Sequence, residues 1–201
     1  MTSTIDRRTV IAAGLALGLS ALTAGCETQV EIQRLPDITF AHLPPFRLDV
    51  AQIAVESRFT APVAAPHIET RLPTSPGKAL RQWTKDRLKA VGGTGALKLI
   101  IQDASATRTE LPRDDSLKGK FTKQQAERYD MAVKASLVLS DGSGAERATA
   151  LAQASRSISV REDVSLNDRE RIQFDLVDRL LADFNTEMET SIRQHLAAWL
   201  R

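Results

Sequence analysis

The chain has 201 residues, 27 of them basic and 25 acidic, and its aromatic content is only 4%. So even a balance of charge argues against a nucleic-acid partner. A single cysteine, Cys26, excludes a disulfide within the chain, and a core without many aromatic rings has to be built from Leu, Ile, Val and Ala.

Residues 1–25 show the three zones of a secretory signal. Arg7 and Arg8 form the positive zone, and residues 10–24 form an apolar run of 15 residues diluted by Gly14, Gly18 and Ser20. A bilayer-spanning helix needs roughly 20 residues, so a transmembrane anchor fits less well than a cleaved leader. A soluble amphipathic helix would need a polar face, which this run lacks. The pair Arg7-Arg8 before Thr9-Val10-Ile11 is similar to a twin-arginine export signal, although Asp6 departs from that pattern, and general secretion is the other route.

The leader closes on Leu22-Thr23-Ala24-Gly25-Cys26, which resembles a bacterial lipobox. Small residues at Ala24 and Gly25 let an extended chain enter a narrow protease site, and a thiol is readily alkylated. The resemblance implies cleavage before Cys26 and a diacylglyceryl group on its sulfur. The bland alternative is a buried free thiol acting as a small hydrophobe. Two or three acyl chains, at about 0.8 kcal/mol per buried methylene, hold a protein on a membrane almost permanently. Glu27, where an aspartate would signal inner-membrane retention, favours the periplasmic face of the outer membrane.

Removal of 25 residues from 201 leaves 176, enough for one domain with a core. Residues 26–45, with Pro36 and Pro44-Pro45, show no period and read as a flexible tether. The domain spans 46–201. A first strand is centred on 48–55. Four prolines in 61–76 predict an extended loop. Ser75-Pro76 reads as a helix start, since serine caps free N–H groups and proline fits the first turn. Ala79, Leu80, Trp83, Leu88 and Val91 continue at helical spacing to Gly92-Gly93, giving a helix over 76–91. Trp83 reads as core.

A second strand covers 96–107. Residues 110–127, with Pro112, Asp114-Asp115 and Lys118-Gly119-Lys120, form a charged excursion with one helical turn at 122–126; such a loop is functional or disordered. Tyr129, Met131, Val133, Ala135, Leu137 and Leu139 line one face of a third strand, the clearest period of two in the chain. A turn at 140–144 leads to a fourth strand over 147–160, whose alanines at 148, 150, 152 and 154 predict close packing under a helix, with Arg156 interrupting that face. Ser165 and Asp168 form a variant capping box before a helix to Leu200. Its i+4 row runs Ile172, Leu176, Leu180, Phe184, Met188, Ile192, Leu196. At roughly 50 Å such a helix exceeds the width of four strands, so it should project or break, with Asn185-Thr186 the weak point.

The order βαβββα makes an α+β two-layer sandwich: a four-stranded, mostly antiparallel sheet backed by two helices. The other sheet face stays polar or meets a partner. This pattern, behind a lipobox, resembles two related groups of Gram-negative envelope lipoproteins: the lipopolysaccharide-assembly lipoprotein and the auxiliary lipoprotein of ABC-type lipid-transport systems. The aromatic-rich segment that follows the lipidated cysteine in the first group is replaced here by Glu27-Thr28-Gln29-Val30. The resemblance implies a non-catalytic envelope subunit with a protein partner, such as a transporter or translocon subunit.

Residue chemistry points the same way. His42, His67 and His195 show no metal-ligand spacing, no Gly-x-Ser-x-Gly elbow is present, and Gly92-Gly93-x-Gly95 lacks a phosphate-loop lysine. No enzyme, metal or cofactor is expected. A lipid or small-molecule carrier with an apolar cavity is the second reading.

Overall fold

The computed structural model describes residues 35–112 and 124–201. Its elements in chain order are β1 (Phe46–Leu48), β2 (Gln52–Ser57), α1 (Pro76–Arg87), β3 (Leu88–Ala90), β4 (Ala96–Asp103), β5 (Ala106–Glu110), β6 (Gln125–Ser140), β7 (Glu146–Arg161) and α2 (Leu166–His195). Short 3-10 turns occupy Glu69–Arg71 and Ala197–Trp199. The architecture is the expected α+β two-layer sandwich.

The main sheet has five strands, where four were expected, because the second strand is broken. β4 and β5 both pair antiparallel with β6, end to end along the same edge. The register shifts between Ile101 and Asp103. Asp103 then turns the chain by accepting the Ser105 N–H at 3.0 Å. Across the sheet the positions are therefore β2, then β4 and β5, then β6, then β7. Within this sheet the β2–β4 pair is parallel and the others antiparallel, with α1 in the crossover between β2 and β4.

The period of two in β6 is realised in full: Tyr129, Met131, Val133, Ala135, Leu137 and Leu139 are all buried. β7 pairs with β6 along almost its whole length. Its Ala150 and Ala152 are buried beneath α2, as small side chains permit. The expected helical turn at 122–126 is overturned where it can be seen. Gln125 and Ala126 belong to β6, and the Leu111 N–H donates to the Ala126 carbonyl at 2.8 Å. Residues 113–123, including Asp114-Asp115, lie outside the described residues.

Both helices start where the sequence places them. Ser75 Oγ accepts the Lys78 N–H at 3.3 Å, and Ser165 Oγ accepts the Asp168 N–H at 3.1 Å. Both stop short of expectation. α1 ends at Arg87, not at 91, because residues 88–90 straighten to pair in parallel with β1. Gly92 then lies against the chain just after β1, its N–H donating to the Val50 carbonyl at 3.0 Å. A Cβ there would sit 2.5 Å from the Asp49 carbonyl carbon and 2.6 Å from the Val50 nitrogen. Gly92 thus permits a close backbone approach rather than stopping the helix. The expected strand at 48–55 is likewise two strands in two sheets, divided at Asp49–Ala51.

α2 ends at His195. Its continuation is redirected so that Trp199 O can accept the Asp49 N–H at 2.8 Å and Leu200 can bridge to Leu48. The expected break at Asn185-Thr186 does not occur; α2 is one helix of 30 residues, roughly 45 Å long. It runs along β7 rather than across the sheet, with Ser191 near Leu151 and Asp183 near Arg156. β7 itself has 16 residues, roughly 50 Å at strand spacing, so sheet and helix match in length. Arg156 meets Asp183 through two hydrogen bonds, at 2.5 and 2.9 Å, which explains the charged residue on that face.

The core joins the inner faces of β4, β6 and β7 to both helices. Leu80, Trp83, Leu180, Leu181, Phe184, Met188 and Ile192 are each fully enclosed. Burial of such a side chain stabilises by about 1.5–3 kcal/mol. Trp83 is core, edge-on to the Phe184 ring at 5.4 Å between centroids. Ile38 and Phe40 are buried as well. Residues 35–45 therefore pack on the domain instead of forming the last part of a flexible tether.

Candidate functional site

The residues singled out for lipidation and export, Cys26 with Arg7, Arg8, Leu22, Ala24 and Gly25, lie outside the described residues. What the structure describes is how the chain that follows them is fastened to the domain. Asp86 on α1 accepts the Phe40 N–H and the Thr39 hydroxyl, both at 2.8 Å, and Gln82 steadies its other oxygen at 2.8 Å. A turn closes between the Leu43 N–H and the Phe40 carbonyl. Phe46 follows, buried, with the Arg87 and Arg193 guanidinium carbons 5.0 and 5.3 Å from its ring centroid.

Arg87 joins three parts of the chain. It is only 1% exposed. It donates to the Pro44 carbonyl, to Glu189 Oε1 and, at 3.1 Å, to Asn185 Oδ1. Asn185 Oδ1 also accepts the Trp83 indole N–H at 2.9 Å, and Asn185 Nδ2 donates to Glu189 at 3.2 Å. Burial pushes the Arg87 pKa down and the Glu189 carboxylate opposes that push. The node is satisfied and lies inside the core, so its chemistry is cohesion. Sequence reading missed it. The available signals were an arginine on the apolar side of α1 and an asparagine within the apolar stripe of α2.

Two surface cavities bear on function. The larger, about 670 Å³, opens between Asp37, Ile38 and Thr39 on one wall and Lys78, Arg81 and Lys85 of α1 on the other. Seven of its nine lining residues are polar or charged, while Ile38, Ala79 and the aliphatic stems of the lysines and Arg81 leave much of its surface apolar. The smaller, about 190 Å³, is lined by Arg71, Arg108, Tyr129 and Arg169 among others. There Glu127 accepts the Tyr129 hydroxyl at 2.6 Å and lies 3.6 Å from Arg108 and 3.5 Å from Arg169. Burial, and then the bond to Glu127, push the Tyr129 pKa up. Nearby, buried Glu69 accepts the Ala106 N–H at 2.9 Å and faces His67 Nδ1 at 2.9 Å.

The three histidines are dispersed. His42 stacks near Phe40, His67 contacts Glu69, and His195 ends α2. Among the described residues no group of three or more His, Cys, Asp or Glu side chains is placed to hold a metal, and no helix is long and apolar enough to cross a membrane.

No protein-family model matches the sequence, and no curated protein matches it. Among solved structures, the chain is similar to a minor lipoprotein from Acinetobacter baumannii at 12% identity and a TM-score of 0.35, over 73% of this chain and 91% of that one. It is also similar to the rare lipoprotein B from Shewanella oneidensis at 15% identity and a TM-score of 0.25, over 67% of this chain and 94% of that one.

Proposed function

We propose that this chain is a lipid-anchored accessory or scaffold protein of the bacterial envelope, a non-catalytic subunit of a lipid or lipopolysaccharide transport or assembly system. The observation that carries the reading is the sequence Leu22-Thr23-Ala24-Gly25-Cys26 at the close of an apolar leader. Lipid on Cys26 would fix the protein to a membrane, and Glu27 favours the periplasmic face of the outer membrane. The fastening of residues 39–46 to both helices supports this reading, because a pull on the anchor would be borne by the core.

A Cys26→Ala variant tests the proposal. It should leave the membrane fraction and fail to complement a deletion strain, whereas the wild type stays with the membrane and complements. Full complementation from the soluble periplasm would contradict the anchoring role. Capture of the wild-type protein from envelope extracts, followed by mass spectrometry, would name the partner.

A further inference from the structure

We propose that the exposed basic face of α1 rests on anionic lipid headgroups and so sets how the domain lies on the membrane that holds it. The inference builds on the anchoring at Cys26 and adds an orientation to it.

Lys78, Arg81 and Lys85 are all exposed and recur at intervals of three and four residues, which places them on one face of the helix. The opposite side carries buried Leu80 and Trp83 into the core. Among the described residues none of the three has an ion-pair partner, which is true also of exposed Lys89, Lys134 and Arg179; what distinguishes the three is that they share one helix face. The only acid in α1, Asp86, is turned to the Thr39 hydroxyl and the Phe40 N–H. Asp37 is the one carboxylate lining the cavity that these cations border.

Helix stability does not account for the pattern. The first turn of α1 holds no acid and does hold Lys78, the wrong sign for the positive end of the helix dipole. Position does account for it. Asp37, Ile38 and Thr39 form the facing wall of the cavity, so the chain arriving from the anchor meets the domain beside this face. Leu35 is nine residues after Cys26, a covalent reach of at most roughly 30 Å. An acylated Cys26 therefore keeps this part of the domain near the bilayer. Basic residues close to an anionic surface are held by its potential, which decays within a Debye length of about 8 Å at physiological salt.

Amine footprinting of the full lipidated protein, reconstituted in vesicles, tests the proposal without mutation. One vesicle set is phosphatidylcholine alone; the other contains phosphatidylglycerol. A neutral acetylating ester labels exposed lysines, and peptide mass spectrometry gives each rate. Labelling of Lys78 and Lys85 should fall about threefold or more on the anionic vesicles. Lys134, on the outer face of the sheet, should not change, and high salt should restore both rates. Equal rates on the two vesicle types would overturn the proposal, as would an equal fall at Lys134. Flotation with the neutral vesicles reports the anchor separately. Loss of flotation sinks the anchoring, and the anionic-vesicle footprint still decides the role of α1.

Discussion

At the scale of single residues, Arg87 holds a positive charge where water is excluded, and it does so because each of its three guanidinium nitrogens donates to an acceptor. A buried charge left unpaired costs several kcal/mol, so the acceptors matter as much as the arginine. Asn185 Oδ1 serves two donors at once, from Trp83 and Arg87. Asn185→Ala orphans both, and urea unfolding should register a loss of about 2–4 kcal/mol. Asn185→Asp restores the acceptor and should recover part of that loss. If Asn185→Ala unfolds at the wild-type midpoint, the node does not hold the helices. None of this was legible locally. Arg87 and Asn185 are 98 residues apart, and an asparagine inside an apolar stripe reads as a weak point until its partner is known.

The elements that were legible are those whose signal is local. β6 shows a strict period of two, and both helix starts carry a serine that caps its own first turn. What escaped depends on distant pairing. Residues 48–55 look like one strand because no local feature reveals that β1 pairs with β3 while β2 pairs with β4. The β6–β7 turn was legible too, and it carries a pH signature. Asp141 accepts the Ser143 hydroxyl, the Arg147 guanidinium and the N–H groups of Ser143 and Ala145, and these bring its pKa down from 3.8 to about 2. A carboxylate whose pKa is lowered on folding stabilises the folded turn above its ordinary pKa. That contribution fades as pH falls through the folded value, here between roughly pH 4 and 2. Carbon-detected NMR of the Asp141 carboxyl should show a midpoint near 2, with the Ser143 and Ala145 amide shifts moving in step. A midpoint at the ordinary value would mean that the turn is not closed by this side chain.

For the whole molecule, the central claim is that a domain of ordinary α+β build works where it does because a lipid on Cys26 keeps it there. The two-layer architecture could be read from alternation and helical spacing, whereas the fastening of residues 35–46 could not, since its partners lie on α1 and α2. Residues 7–26 read as an export and lipidation signal from sequence alone, and they lie outside the described residues. The most direct test is the intact mass of the protein recovered from the membranes of an expressing Gram-negative host. The account predicts a chain that begins at Cys26, heavier than the bare polypeptide by a diacylglyceryl group, with or without a further N-acyl chain. A chain that still begins at Met1, or one carrying a free thiol at Cys26, would contradict it.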